Sequence, residues 1–546
     1  MKLSRFFLGP LLATLICPFA SRAQDTYQHK HEMGENLGRV NFAVSCNAVA
    51  QQQFNRAVAL LHSFWYDEAE KAFTEVTKTD PKCGMGYWGI AMSFYHPVWS
   101  PPTGAELRNG SAAVQRANIV SARTQKERDY IAAIDAFFKD ADKLDHRTRA
   151  VAHEKAMEQL YLRYPTDREA AIFYALGLLG TALPTDKTYA NQKKAGDILN
   201  KVLMSEPDHP GVAHYLIHSF DYPTLAPLAL PAARSYAKIA PSSPHALHMP
   251  SHIFTRLGLW QESIESNIAS AAAAKNHVAR TNPGAASFDQ LHAMDYLAYA
   301  YLQTAQDAKA KAIVDALYAM NKVDANNFAA AYAFAAIPAR YVLERRQWSE
   351  AATLKVHPAD FPWNNFLYAE AIIYFARALG GSRSGSATAA SKDIERLTLI
   401  QKSLADAQEN YWATQVEIQR RAAAAWLAHA EGKTEEALKL MRAAADLEDS
   451  TDKHPVTPGA IVPARELLGD LLLELREPQQ ALKEFEASLL VSPNRFNGLY
   501  GAAKAAELSG DREKARTFYA KLTALGERSD GMRTELQAAK AFLASK

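Results

Sequence analysis

Residues 465–495 read RELLGDLLLELREPQQALKEFEASLLVSPNR. Leu468-Gly469 falls in a first helix, Ala481 and Phe485 stand one turn apart in a second, and Pro493 ends it. That is the pattern of a helical hairpin from a repeat of about 34 residues. Ala69, Phe73 and Pro81 give the same second-helix signature, Ala515 and Tyr519 give it without the proline, and Leu257-Gly258 offers another Leu-Gly pair. Outward from these anchors, about eleven hairpins are expected, beginning near residues 50, 84, 128, 168, 211, 245, 289, 327, 365, 410 and 461, with a last pair near 495. Strand signals are scarce. Each hairpin has one apolar face that only a neighbour can cover, so the chain is expected to be an all-α solenoid, a right-handed superhelix with a concave inner surface.

Three stretches interrupt the pattern. Gly380 to Lys392, GGSRSGSATAASK, is small and polar and predicts a mobile surface loop. Residues 281–287, TNPGAAS, lengthen a link between hairpins. Residues 450–463, STDKHPVTPGAIVP, hold three prolines and cannot be helical throughout. A long loop of this kind either covers a functional surface or adapts the packing of two repeats.

The chain opens with Lys2 and Arg5, an apolar run from Phe6 to Phe19, and small residues at Ser21-Arg22-Ala23. This layout predicts a signal peptide over residues 1–23. The run is far short of the roughly 20 residues that span a bilayer, so no transmembrane segment is expected in the mature chain. The expected location is therefore periplasmic or extracellular. An N-terminal extension follows over 24–45, and the continuous solenoid runs from 46 to 546. Removing Lys2, Arg5 and Arg22 turns the formal charge of +2 into −1. That near-neutral balance gives no reason to expect nucleic acid as a partner. Export would leave Cys46 and Cys83 as a pair in an oxidising compartment, where one disulfide between them is the simplest arrangement.

The chemistry concentrates in the centre, residues 209–296. Eight of the seventeen histidines, at 209, 214, 218, 245, 248, 252, 277 and 292, fall within 84 residues. His214-x-x-x-His218 and His248-x-x-x-His252 are 34 residues apart, one repeat length. Spacing of i, i+4 puts both imidazoles of a pair on one helix face. Repeat register stacks the two pairs on neighbouring first helices. These four are the candidate metal ligands, suited to Zn, Cu or Fe. Asp221, just after His218, and His292 are candidates for second shell or general base. His245, Arg256 and Tyr296 share the same surface, with Arg256 placed to meet an anionic group. His96 and His454, each before a proline, are positioned to reach in from loop ends. Gly84-x-Gly86-x-x-Gly89 matches a dinucleotide fingerprint in letters, but no strand precedes it and that reading fails.

With its His-x-x-x-His helix followed by an acid, a His-x-x-His-Met-Pro-x-His helix in the next repeat, and a late His-Pro-Val-Thr-Pro-Gly loop, the chain resembles a group of exported bacterial tetratricopeptide-repeat (TPR) proteins. The residues that carry the resemblance are His214, His218 and Asp221, then His245, His248 and His252, then His454 to Gly459. It implies the architecture and the place of a site. For TPR proteins in general it also implies a peptide or protein segment bound in the concave groove. Two functions follow: a binding or scaffold protein whose groove carries a histidine-rich candidate metal site, or a hydrolytic or oxidative metalloenzyme acting on a small-molecule substrate.

Overall fold

A computed structural model of the chain describes residues 35–98, 101–120, 122–531 and 533–545. The expected signal peptide and Trp99 lie outside them. Asn36 to Lys546 forms one compact unit. It is a TPR-like α-solenoid. Among the described residues there are twelve helical pairs, whose first helices start at Ala48, Gly84, Gln125, Arg168, Pro210, Pro244, Phe288, Phe328, Leu367, Asn410, Ala464 and Phe496, and the single helix Thr534–Ala544 closes the array. No strand is present among them; Ala286 and Val323 make one isolated bridge. No described helix is long and apolar enough to cross a membrane.

The hairpin Ala464–Glu474 and Pro478–Val491 shows how the sequence sets this packing. Leu467, Leu468, Leu471 and Leu472 recur at helical spacing and are buried, as are Ala481 and Phe485 opposite them. The Phe485 ring fills the space left by two glycines. A Cβ on Gly469 would come within 2.7 Å of it, and one on Gly501, in the next repeat, within 2.3 Å. The Gly84–Gly89 motif works the same way, on the helix Gly84–Ser93, where a Cβ on Gly89 would meet Phe73. Two expectations need correcting. Residues 380–392 are mostly helical, because Gly380 and Gly381 pack against neighbouring backbone and the helices Leu367–Arg383 and Ala387–Asp406 are joined by a three-residue turn at Gly385. Gly258 lies not inside a first helix but in the turn after one, at φ +64°.

The array curls until its last repeats meet its middle. Phe496 donates its amide to Gln303 Oε1 at 2.8 Å, and Asp530 accepts the Ala308 and Lys309 amides at 3.0 and 3.1 Å, capping the helix Asp307–Tyr318 from another repeat. Arg495, fully buried, joins Glu466 at 2.6 Å, Glu344 at 2.7 Å and the Tyr299 hydroxyl at 2.5 Å. The loop 450–463 passes through the interior of this curl. Arg340 donates to the carbonyls of Gly459 and Ala460 at 2.8 and 2.7 Å, and Tyr411 donates to that of Asp452 at 3.0 Å. At the other end of the chain, Cys46 and Cys83 form a disulfide that ties the first hairpin to the second.

Removing Arg495 would leave two carboxylates buried without their cation. Arg495→Ala is expected to lower stability by about 3–5 kcal/mol in chemical denaturation, and a loss no larger than that of an ordinary surface change would show that the closure is not held here. Opening the Cys46–Cys83 bridge, which joins residues 37 apart in sequence, is expected to cost about 3–4 kcal/mol on loop-closure grounds, measured on the Cys46→Ser/Cys83→Ser variant.

Candidate functional site

Three consecutive first helices build the histidine cluster. Pro210–Phe220 starts on a proline, which suits a helix's first position, and carries His214 and His218 one turn apart, with Asp221 just past its end. The next first helix is broken: Pro244–His248 gives way at Met249 to Pro250–Arg256. Pro250 has no amide to continue the first ladder, and the break separates His245 and His248 from His252. Phe288–Gln303 supplies His292 and Tyr296.

The six histidines form two groups of three, His214 with His218 and His245, and His248 with His252 and His292, each with one ring nitrogen per residue within 4.8 Å of the others. The four expected ligands thus divide two and two between neighbouring centres. His245 and His292 complete one group each. In the first group His214 Nε2 lies 3.1 Å from His218 Nε2 and 3.2 Å from His245 Nε2. In the second, His248 Nε2 lies 3.0 Å from His252 Nε2. Nitrogens about 2.0–2.1 Å from a shared ion are separated by roughly 3 Å.

The other nitrogen of three rings is fixed by an acceptor. His214 Nδ1 is 2.6 Å from the carbonyl of His62, which can only accept. His248 Nδ1 is 2.7 Å from Asn267 Oδ1, and the Asn267 amide is oriented by donating to Ser263 O at 2.8 Å. His252 Nδ1 is 3.1 Å from Asp221 Oδ2, with the Tyr296 hydroxyl also close at 3.3 Å. Each of these Nδ1 atoms therefore carries a hydrogen, and in the neutral rings each Nε2 presents a lone pair. The 3.0 Å approach of His248 and His252 then sets two lone pairs face to face, an arrangement that a shared cation would relieve; the Tyr296 hydroxyl lies 3.4 Å from His252 Nε2. Burial pushes all six imidazoles below their ordinary pKa, less far at His252, where Asp221 pulls the other way.

Asp221 orients His252 from outside the two groups. Besides His252 it meets Arg256 Nε at 2.8 Å and Lys453 Nζ at 2.7 Å. Burial alone would raise its carboxyl pKa, but Lys453 and Arg256 hold it well below the usual carboxylate range. Burial brings the Lys453 ammonium down to about 8 against the pull of Asp221. With both oxygens engaged, Asp221 is not among the clustered ligand atoms. Arg256 is itself taken up by Asp221, its Nη2 donating to the Asp221 carbonyl at 3.0 Å.

A third group, His62, Glu169 and His209, lies beside the first. It differs in kind, since a carboxylate sits in it: Glu169 accepts from His62 Nε2 at 2.9 Å and His209 Nε2 at 3.0 Å, while His209 Nδ1 is buried without a partner among the described residues. It braces the segment whose carbonyl holds His214. Two residues later Phe64 lays its ring against His214, His218 and His245, with centroids at 4.4, 5.5 and 5.8 Å. Phe64 has φ +53°, in a turn where other repeats place Gly258, Gly432 and Gly510 or, with the same positive φ, Ala305, Arg346 and Arg476. Holding a phenylalanine in that region costs about 1 kcal/mol.

A cavity of about 480 Å³ reaches the cluster, with His218, Asp221, Lys453, His454 and His96 on its wall. His454 and His96 stand there without joining either group. His454 is packed among Phe328, Trp412 and Tyr411, while His96 lies against Tyr66, its Nε2 donating to Ser93 O at 3.1 Å. A second cavity of about 400 Å³, on the other side of residues 450–463, is lined by aromatic rings that include Tyr299, Tyr332 and Trp412, with Arg256 and Lys453. Sequence reading did not find Asn267, Lys453, Phe64 or the His62 carbonyl. None of these left a local signal, since the turn position of Phe64 is glycine in some repeats and Ala305, Arg346 or Arg476 in others.

No protein-family model matches the chain, and no curated protein matches it. Among solved structures, the chain is similar to a human IFIT1 dimer with m7Gppp-AAAA at 10% identity, covering 81% of this chain and 90% of that one with a TM-score of 0.37. It is also similar to the APC/C hetero-tetramer Cut9-Hcn1 at 13% identity, covering 90% and 83% with a TM-score of 0.34.

Asp221→Ala would strand Arg256 and Lys453 in a buried site. Amides of residues 450–463 are expected to exchange hydrogen much faster in that variant than in the parent, while the hairpin 464–491 keeps its protection. Unchanged exchange in the loop would mean that Lys453 does not anchor it.

Proposed function

We propose that this chain is an exported metalloprotein in which six histidines hold two transition-metal ions, His214, His218 and His245 one of them, His248, His252 and His292 the other. The facing lone pairs of His248 and His252, each set by an acceptor at Nδ1, carry this reading. The Cys46–Cys83 bridge and the signal-like N-terminus support export. His292 acts as a ligand. Asp221 acts as the orienting carboxylate of His252, an outer partner of the kind that fixes a metal-bound imidazole.

The cavity at His218 and Asp221 supports an enzyme acting on a small molecule. His218 is the one triad histidine on its wall; an ion held there would polarise a bound oxygen or lower the pKa of a bound water, and the Lys453 ammonium offers a positive charge to an anionic substrate group. The interior also bears on the alternative, a groove for a peptide or protein segment. Residues 450–463 already occupy that space, with Arg340 gripping two of their carbonyls. An extended partner would have to displace them, whereas cavities of about 400 and 480 Å³ suit small ligands.

Elemental analysis of untagged protein is expected to find about two equivalents of transition metal, falling to about one in His248→Ala/His252→Ala. Asn267→Ala is expected to weaken metal affinity by roughly 10–100-fold in a chelator competition, because His248 loses its orienting partner. Protein that holds no metal and takes none up on titration overturns the proposal.

A further inference from the structure

We propose that the two histidine triads form one coupled copper pair that takes up dioxygen between its ions. This rests on the two-ion reading above and extends it to the metal, its spin state and its ligand.

The donor set is all imidazole. Asp221, the carboxylate nearest the cluster, has its oxygens committed to Arg256, His252 and Lys453. Cys46 and Cys83 are bonded to each other. Non-haem iron(II) sites of the facial type use a carboxylate, structural zinc sites use thiolates, and magnesium or manganese prefer oxygen. Six neutral imidazoles leave copper, nickel and zinc, and copper(II) stands above both others in intrinsic affinity for nitrogen sites.

The triads also adjoin. Ring centroids of His218 and His252 are 6.1 Å apart, and those of His245 and His248 6.2 Å, no farther than His252 and His292 within one triad at 6.2 Å. Among the described residues no carboxylate joins the two groups, so a ligand shared by their ions would come from outside the chain. Phe64 borders the first triad on its apolar side, and the Tyr296 ring is 4.7 Å from that of His248 in the second. In the reduced pair each copper(I) gives up one electron, dioxygen accepts both, and peroxide is held between two copper(II) ions. No proton or further reductant is needed for that step.

The test uses the full chain, stripped of metal by chelation, loaded with copper(I) without air and then exposed to oxygen. About two coppers per chain are expected, together with near loss of the copper(II) electron paramagnetic resonance signal through coupling and a new near-ultraviolet band that disappears on reduction. His292→Ala and, in the other triad, His245→Ala, each confirmed folded by circular dichroism, are expected to regain a full signal from the copper that remains. Two coppers with full signal intensity in the parent would overturn the coupling and leave the two-ion reading standing. Zinc displacing copper in an equimolar competition would overturn the metal assignment with the same consequence. Uptake of neither metal would remove both proposals.

Discussion

A carboxylate withdrawn from water must be matched by charge or hydrogen bonds nearby, and Asp221 meets that demand with three partners from two other parts of the chain. His252 and Arg256 come from the next repeat and Lys453 from a loop 232 residues away. The same contacts orient an imidazole, neutralise an arginine and pin the segment that fills the interior. Moving any one partner would leave the others with unbalanced charge, so the cluster, the loop and the cavity wall form one electrostatic unit.

The repeat explains why the cluster is bipartite. A TPR-like array places equivalent positions of first helices side by side, which brings His214 and His218 next to the following repeat. The division falls between His245 and His248, three residues apart on the helix Pro244–His248, and not at the break: His245 meets the first pair, while His248 joins His252, across Met249, and His292.

Much of this was legible in the sequence. Hairpin starts could be read to within a few residues because proline, glycine and the Ala-x-x-x-aromatic pattern mark helix ends locally. The reading failed at 380–392, where small residues that look like loop are there to let backbones approach. In the site, the i, i+4 pairs were legible because helix geometry is local. Their division between two groups was not, since it depends on which neighbouring helix each ring of Pro244–His248 meets. Lys453 and Asn267 could not be found, because a lysine beside a marked histidine and an asparagine in an alanine-rich helix acquire their roles only through contacts made across repeats.

The loop held by Asp221 also fixes an order of assembly. Chains emerge N-terminus first and repeat arrays can fold as they appear. His292, the last residue of the cluster, is made 161 residues before Lys453. For that interval the floor of the chamber exists without its roof, a shallow basin facing solvent. The interior is enclosed only when the final repeats curl back and carry residues 450–463 inside, so the histidines can meet an incoming ion before the chamber is covered.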